Sequence, residues 1–168
     1  DISVNKVTPA LFQTYPTPND LANAKLSDVE DLIKTIGLYR HKAKHIVELS
    51  KELIIKHQGI IPNNREQLEA LPGVGRKTTN VVLSNAFGVP ALAVDTHVKR
   101  VSIRLGLAKK DDSVLIIEKK LNRKFPKDRW NKLHHQLIFF GRYHCLAKSP
   151  KCLNCPLYEL CKYDQKTA

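Results

Sequence analysis

The chain has 168 residues, 42% of them hydrophobic, so it can bury a core as one large domain or two small ones and is too apolar for a disordered basic tail. Its 28 Lys and Arg against 16 Asp and Glu give a net charge of +12, which favours polyanions such as nucleic acid. No apolar run approaches the roughly 20 residues needed to span a bilayer. A membrane-surface protein is disfavoured because no predicted helix sets a Lys/Arg face opposite Trp or Phe.

Apolar residues recur at helical spacing along almost the whole chain, which predicts an all-α fold. The residues that mark successive helices are Val4, Val7 and Leu11; Val29, Leu32, Ile33 and Ile36; Ala43, Ile46, Val47 and Ile54; Val81, Val82 and Phe87; Val98, Val101 and Leu105; Ile116, Ile117 and Leu121; and Trp130, Leu133, Leu137 and Ile138. Pro9 predicts a bend or break in the first helix, and Ser27 to Glu30 predict a capping box at the second. Only residues 90–94 indicate extended structure.

The most informative stretch is LPGVGRKTTN at residues 71–80, followed by VDTH at residues 94–97. Glycines can adopt φ > 0, so a Gly-Val-Gly turn that opens into a helix lets backbone N–H groups converge on an anion at the positive end of that helix. Lys77 lies in the first helical turn, and the next apolar run delivers one carboxylate, Asp95. Together they indicate chemistry on nucleic acid. For the turn alone, an ordinary connection between helices with a solvated lysine fits equally well.

The four cysteines of the chain are clustered near its end. Cys145, Cys152, Cys155 and Cys161 follow the spacing C-x6-C-x2-C-x5-C. Thiolates this close in sequence can converge on one metal centre, either an iron–sulfur cluster or zinc, and the spacing slightly favours iron–sulfur. Two disulfides are the alternative in an oxidising compartment. Four unlinked buried thiols are disfavoured because the cysteines are clustered here and absent elsewhere.

Several of these motifs together resemble the endonuclease III family, helix–hairpin–helix DNA glycosylases and abasic-site lyases of base-excision repair. The matching stretches are IGLY at 36–39, LPGVGRKT at 71–78, VDTHVKRV at 94–101, GRYHC at 141–145 and the four-cysteine tail. The resemblance implies a helical, barrel-like domain over residues 1–93 that ends in the helix–hairpin–helix motif, and a second helical domain over residues 94–168. It also implies an active-site cleft between the two domains and a [4Fe–4S] cluster on the four cysteines, in preference to zinc.

The resemblance implies that Lys77 is the nucleophile. It would attack C1′ of an extruded deoxynucleotide, expel the base and form a Schiff base that allows β-elimination of the strand. Because the amine must be uncharged to attack, we expect Arg76, the helix N-terminus and partial burial to favour loss of its proton. Asp95 would stabilise the oxocarbenium-like sugar and could help to move protons. The competing interpretations are a phosphate contact for Lys77 and a helix N-cap for Asp95, and capping is compatible with catalysis.

Base chemistry in a duplex requires the nucleotide to leave the stack, and a side chain must fill the gap. The DNA contacts that the resemblance implies are Leu38, Gly73, Val74, Gly75, Arg76, Lys148 and Lys151. Leu38 would be the wedge, although an ordinary apolar residue after a helix end is an even alternative. The three hairpin residues would donate backbone N–H groups to a phosphate. The two lysines would contact the DNA backbone from a loop held by the cluster, although single lysines on a loop are more often simply solvated.

The seven histidines do not predict a second metal site. His134 and His135 are adjacent, and His41 and His45 are four residues apart, but each pair lacks a third convergent ligand. We therefore expect surface or internally hydrogen-bonded residues. His97, close to Asp95, is a weak candidate for a phosphate contact.

The favoured function is a bifunctional glycosylase and lyase that removes oxidised pyrimidines from double-stranded DNA with damaged or abasic sites. The alternatives are the related adenine-mismatch glycosylase, which usually lacks a lysine at the position of Lys77, and a non-catalytic DNA-binding helix–hairpin–helix fragment. An intracellular location follows, cytoplasmic and nucleoid-associated in a bacterium, with no membrane partner.

The start of the chain carries a further expectation. It begins at Asp1 and contains no methionine, so we expect an upstream segment, and the family has one that completes both halves of the fold. Without that segment we expect an uncovered apolar face, so that these residues alone would aggregate or bind DNA weakly. The complete protein is expected to be a monomer.

Overall fold

The computed structural model describes residues 2–166; Asp1, on which the expectation of an upstream segment rests, lies outside them. Within this range no residue is in a β-strand, which confirms the all-α class, and residues 90–94 are coil. The helices are α1 (Ile2–Thr14), α2 (Pro18–Ala22), α3 (Leu26–Ile33), α4 (Tyr39–His57), α5 (Arg65–Glu69), α6 (Arg76–Ala86), α7 (Thr96–Arg104), α8 (Val114–Lys124) and α9 (Trp130–Tyr143), with a 3₁₀ turn at Lys127–Arg129. None of the helices described is long and apolar enough to cross a membrane.

The chain divides into two compact units, Asp1–Gly75 and Arg76–Ala168. In the first unit, α4 packs against α2 and α3, and α1 packs against α3. The core of this unit consists of the buried apolar residues Leu11, Leu21, Val29, Ile33, Ile36, Ala43 and Val47. The predicted division into residues 1–93 and 94–168, with a cleft between them, stays a prediction.

In the second unit, α7 packs against α9 and α8. The core consists of the buried residues Leu92, Val94, Val98, Val101, Ala108, Ile117, Leu121 and Leu137. Gly141 allows α9 to approach α7 closely, since a Cβ at this position would lie 3.0 Å from Cβ of His97 and 3.2 Å from Cγ2 of Val101. This packing holds the start of α7, where Asp95 lies, against α9.

Pro9 does not break the first helix, so that part of the prediction of a bend or break is wrong. Pro9 lies inside α1, which continues to Thr14. A proline removes one intrahelical hydrogen bond, but Leu11, two residues later, is buried in the core of the first unit. Packing of the amphipathic face therefore offsets the missing bond.

The capping box predicted at Ser27 is also wrong. The helix α3 begins at Leu26, two residues earlier than a cap at Ser27 requires, because the carbonyl of Lys25 already accepts from the N–H groups of Asp28 and Val29. A capping box is found instead at the start of α2. There the Asp20 N–H donates to Oγ1 of Thr17 at 3.2 Å, and the Thr17 N–H donates to Oδ2 of Asp20 at 3.0 Å.

Three other predicted helix ends are confirmed. Gly59 follows α4 with φ of +78°, and Gly88 follows α6 with φ of +65°. Both values lie in the left-handed region that glycine adopts without strain. Asn64 caps α5, since its Oδ1 accepts from the N–H of Gln67 at 3.1 Å.

Candidate functional site

The glycine hairpin at residues 71–75 closes the first unit. Gly73 has φ of +75°, and a Cβ there would lie 2.9 Å from Cβ of His45 on α4, so glycine is required both by the backbone and by the space available. Gly75 does not adopt positive φ, contrary to the expectation for both glycines. No described atom lies within 4 Å of a Cβ added at Gly75, so this position is open.

The predicted phosphate donors of the hairpin are not equivalent. The Val74 N–H donates to the carbonyl of Leu71 at 3.1 Å and thereby closes the turn. Gly73 and Gly75 are therefore the better candidates among the three to donate to an external anion, and their contact with DNA stays a prediction.

Lys77 lies in the first turn of α6 in the second unit, and it is exposed. The expected partial burial is therefore wrong. The reason is the register of the helix: Thr79 and Asn80 take the buried face of α6, which leaves Lys77 on the outer face. Its amine can be reached by a large substrate without any opening of the protein core.

The residues beside Lys77 form a polar network that sequence reasoning missed. Arg76 donates from Nε to Oε2 of Glu118 at 2.8 Å and from Nη2 to Oε1 at 2.7 Å. Nδ2 of Asn80 donates to the same Oε2 at 3.1 Å and to the carbonyl of Leu92 at 3.0 Å. The network therefore connects the helix that carries Lys77 to α8 and to the segment that leads into Asp95.

A signal for this network existed in the sequence. Glu118 lies at helical spacing between Ile117 and Leu121, on the apolar face of α8, where an unpaired carboxylate would be costly. Such a residue predicts a buried cationic partner, although the sequence does not say which cation it is. Because Arg76 already pairs with Glu118, its predicted contact with DNA stays a prediction.

Asp95 is the N-cap of α7, so the capping interpretation is correct. The N–H of Val98 donates to Oδ1 of Asp95 at 2.8 Å. The residues just before it, Ala91 to Val94, are buried, whereas Asp95 itself is partly exposed. The cap uses the carboxylate oxygen Oδ1 and fixes the side chain at the start of α7.

His134, on α9, lies in the same electrostatic neighbourhood as both candidate catalytic residues. Burial lowers its pKa below the ordinary value of 6.5; the charges of His135 and Lys77 lower it further, whereas the hydrogen bond to Ala93 and the charge of Asp95 raise it. Lys77 and Asp95 therefore both act on one imidazole inside the second unit.

The four predicted metal ligands border one cavity. All four cysteines are partly buried and free of disulfide bonds, which removes the disulfide alternative from this structure. One small cavity is lined by all four cysteines, Cys145, Cys152, Cys155 and Cys161. Arg104 and Tyr163 are among its other lining residues. Within residues 2–166, no group of three or more His, Cys, Asp or Glu side chains has the arrangement that would hold a single metal ion. Four thiols around a shared cavity form a donor set that fits an iron–sulfur cluster.

Two arginines of α7 hold the cysteine loop. Nη1 of Arg104 donates to Sγ of Cys145 at 3.2 Å and to the carbonyl of Leu146 at 2.6 Å, and its Nη2 donates to the carbonyl of Ala147 at 3.1 Å. Nε of Arg100 donates to the carbonyl of Cys145 at 3.2 Å. Burial alone would lower the pKa of Arg104, but the hydrogen bonds and charges of Cys145 and Tyr163 together raise it.

The remaining predicted contacts are on the surface. Leu38 is 75% exposed and has φ of 58°, an uncommon conformation for a non-glycine residue. Lys148 and Lys151 are exposed on the loop between Cys145 and Cys152. An exposed apolar side chain on a strained backbone favours a functional role for Leu38 over ordinary packing. The roles of all three residues stay predictions.

Comparison with known proteins gives a consistent result. The profile described as "HhH-GPD superfamily base excision DNA repair protein" matches residues 1–127. A second profile, "Iron-sulfur binding domain of endonuclease III", matches residues 145–161. These matches cover the hairpin, Lys77, Asp95 and all four cysteines.

Individual relatives agree over nearly the whole chain. It is 57% identical to endonuclease III of Bacillus subtilis (strain 168), over 99% of this chain and 76% of the relative. It is 45% identical to endonuclease III of Escherichia coli (strain K12), over 99% of this chain and 78% of the relative. A solved structure of a trapped endonuclease III–DNA covalent intermediate, an estranged-adenine complex, is similar with a TM-score of 0.94 and 56% identity, over 96% of this chain and 76% of that chain. The chain therefore belongs to the endonuclease III family of base excision repair DNA glycosylases and abasic-site lyases, and its four cysteines lie in that family's iron–sulfur binding domain.

Proposed function

We propose that the chain removes oxidised pyrimidines from double-stranded DNA, with Lys77 as nucleophile and Asp95 as the charge that stabilises the transition state. The observation that carries the proposal is that Asn80, on the same helix as Lys77, donates to the carbonyl of Leu92, three residues before Asp95, at 3.0 Å. One amine and one carboxylate in a shared neighbourhood are what a combined glycosylase and lyase reaction needs. The exposure of Lys77 suits a substrate as large as a duplex.

The reaction divides into two stages. The uncharged amine of Lys77 attacks C1′, and the glycosidic bond breaks with its electron pair going to the base nitrogen, which takes up a proton. As that bond breaks, positive charge develops on the sugar, and the Asp95 carboxylate stabilises it. The sugar ring then opens to a Schiff base between Nζ and C1′. Loss of a proton from C2′ allows the C3′–O bond to break, which cleaves the strand, and water releases Lys77.

The DNA contacts belong to the same proposal. Leu38 fills the space that the extruded nucleotide leaves, and the backbone N–H groups of Gly73 and Gly75 bind a phosphate. Lys148 and Lys151 contact the sugar–phosphate backbone. The exposure of Leu38, the open space at Gly75 and the net charge of +12 support these assignments. An intracellular, nucleoid-associated location follows from action on chromosomal DNA.

The iron–sulfur cluster is proposed to be of the [4Fe–4S] type. Its four ligands would be Cys145, Cys152, Cys155 and Cys161. When bound, it would cross-link the loop and thereby hold Lys148 and Lys151 in place. Iron and acid-labile sulfide in a ratio of about four each per chain, with brown colour, would support this assignment. A colourless protein that contains one zinc per chain would contradict it.

Borohydride trapping tests the catalytic assignment. Duplex DNA with one abasic site is mixed with the protein and reduced, and a covalent adduct on Lys77 is expected. The variant K77A should give no adduct, whereas K119A, which removes an exposed lysine of α8, should trap like the wild type. An adduct that persists in K77A would assign the nucleophile elsewhere.

The substrate class is tested separately. Duplexes with an oxidised pyrimidine, with adenine opposite a mismatched base, and without damage are compared under single-turnover conditions. Excision of the oxidised pyrimidine alone supports the proposal, while preferential excision of adenine supports the mismatch enzyme. Binding to all three duplexes without excision would indicate a non-catalytic module.

A further inference from the structure

His134 ties α9 to the segment that leads into Asp95. Its side chain is 6% exposed, and its Nδ1 lies 2.8 Å from the carbonyl oxygen of Ala93. A carbonyl oxygen can only accept, so Nδ1 carries the proton and donates it to this bond. Since Ala93 is two residues before Asp95, the bond acts close to the carboxylate.

Three hydrogen bonds from three helices hold this segment. Asn80 of α6 donates to the carbonyl of Leu92 at 3.0 Å, and His134 of α9 donates to the carbonyl of Ala93. At the far end, the N–H of Val98 in α7 donates to Asp95 itself at 2.8 Å. Successive backbone positions before Asp95 are thus held by side chains from different helices, and the bond from His134 is nearer to Asp95 along the chain than the bond from Asn80.

The imidazole of His134 is suited to donate one permanent hydrogen bond rather than to gain and lose a proton. Its buried location keeps it uncharged near neutral pH, so Nδ1–H remains a single donor to a single carbonyl. Because the ring is hydrogen-bonded to the backbone two residues before Asp95, it lies next to the segment that carries this carboxylate rather than in a remote part of the core.

We propose that His134 is a positioning residue for base excision: its bond to the Ala93 carbonyl fixes the segment so that the Asp95 carboxylate lies where positive charge develops on the sugar. The inference rests on the proposed role of Asp95 and goes beyond it by naming the residue that places that carboxylate. His134 acts through Asp95 and does not contact the substrate. Electrostatic stabilisation depends on preorganised geometry, so a small displacement of the carboxylate lowers the rate of excision.

Substitutions at residue 134 can keep or move the donor. In H134N the amide nitrogen takes nearly the place of Nδ1 and can still donate to the Ala93 carbonyl. In H134Q the amide reaches towards the Nε2 position, and H134L has no donor. The matched control is H135L, because Nδ1 of His135 bonds within α9, to the carbonyl of Asn131 at 2.9 Å.

The first experiment compares two reactions of the same variants. We expect H134L and H134Q to lower the single-turnover rate of excision of an oxidised pyrimidine by about tenfold or more, with unchanged affinity for the duplex. H134N and H135L should stay within about threefold of the wild type. Borohydride trapping at a preformed abasic site, which needs Lys77 and no base loss, should be nearly unchanged in all four variants.

The second experiment is a double-mutant cycle between residues 134 and 95. If His134 acts through Asp95, H134L should cause little further loss of excision when introduced into D95N. Losses that multiply, equal losses in excision and trapping, or equal activity of H134N and H134Q would each overturn the inference. If H134L fails to fold, the comparison of H134N with H134Q decides. A wild-type protein that neither excises nor traps would overturn the proposed function itself, whereas an active wild type with active H134Q overturns this inference alone.

Discussion

Arg76 and Glu118 form a bidentate ion pair in which Nε–Oε2 is 2.8 Å and Nη2–Oε1 is 2.7 Å. The Glu118 side chain is only 5% exposed, whereas that of Arg76 is 41% exposed. The pair fixes the first turn of α6 to α8, and Lys77 is the next residue on that turn. The proposed nucleophile is thus held by its neighbours in the sequence, while its own side chain stays exposed.

Removal of Glu118 should affect both stability and catalysis. In E118A, Arg76 and Asn80 lose their shared acceptor, and we expect a decrease of about 2 kcal/mol in the free energy of unfolding. The decrease is moderate because Arg76 can be rehydrated. The control D128A removes an exposed carboxylate and should change stability by less than about 0.5 kcal/mol. Urea denaturation measures both values, and the rate of borohydride trapping should fall in E118A only.

Gly141 should not tolerate a side chain. G141A places a Cβ 3.0 Å from Cβ of His97 and 3.2 Å from Cγ2 of Val101, so α7 and α9 must move apart. We expect a loss of about 1–3 kcal/mol, measured by thermal or urea unfolding. G37A is the matched control, because no described atom lies within 4 Å of a Cβ added there and its φ is not positive. Equal stability of G141A and wild type would contradict the close packing of the two helices.

The lowered pKa of His134 predicts a pH dependence of stability. Its pKa in the folded protein lies below the ordinary 6.5, mainly because of burial, so the unfolded chain binds this proton first as the pH falls. The folded state should therefore lose stability as the pH falls below about 6.5, and H134N should lose less over the same range. Denaturation at pH 7 and pH 5 measures the difference.

The pH range in that experiment matters. Asp112 also has a lowered pKa, chiefly through its hydrogen bond with Lys120, and its contribution is lost only as the pH falls below its ordinary 3.8. Measurements between pH 5 and 7 therefore separate His134 from Asp112. The same slope in wild type and H134N would show that His134 takes up its proton over the same pH range in the folded and unfolded states, which would contradict the lowered pKa.

The variant L38G distinguishes the effect of the Leu38 backbone conformation on stability from the proposed role of its side chain in DNA. Its φ of 58° suits glycine better than leucine, and its side chain is 75% exposed, so L38G should leave the stability within about 1 kcal/mol of wild type. Excision from duplex DNA should nevertheless fall, by about tenfold, because no side chain fills the vacated stack. Trapping on a single-stranded abasic oligonucleotide, which has no stack to fill, is the internal control. Equal losses on both substrates would argue against a wedge.

Much of the fold was predictable from apolar spacing and local caps. The all-α class, the end of α4 at Gly59 and the cap of α5 at Asn64 are confirmed, since each depends on residues that are neighbours in sequence. One prediction failed where a longer-range interaction competes with a local one. Pro9 lies within a helix because Leu11 is buried in the core of its unit. The capping box at Ser27 failed for a local reason, since the Lys25 carbonyl accepts the first helical hydrogen bonds of α3.

The same distinction applies to the candidate site. Lys77, Asp95 and the four cysteines were predicted because glycine spacing, a carboxylate after an apolar run, and clustered thiols are local patterns, and their resemblance to one family is specific. The exposure of Lys77, the pairing of Arg76 with Glu118 and the bond from His134 to Ala93 were not predictable. Each depends on which faces of separate helices meet.

The sequence by itself therefore determined the class of fold, the ligands available for a cluster and the two residues expected to do the chemistry. Only the tertiary structure decided how those residues are held. Hydrophobic spacing says which face of a helix is buried, but a polar partner 40 or so positions away becomes a neighbour only when the helices pack, as for Arg76 with Glu118 and His134 with Ala93. A buried polar group must then find a partner among the groups that packing supplies, and in this protein two such pairs include residues next to Lys77 and Asp95 in the sequence, Arg76 and Ala93.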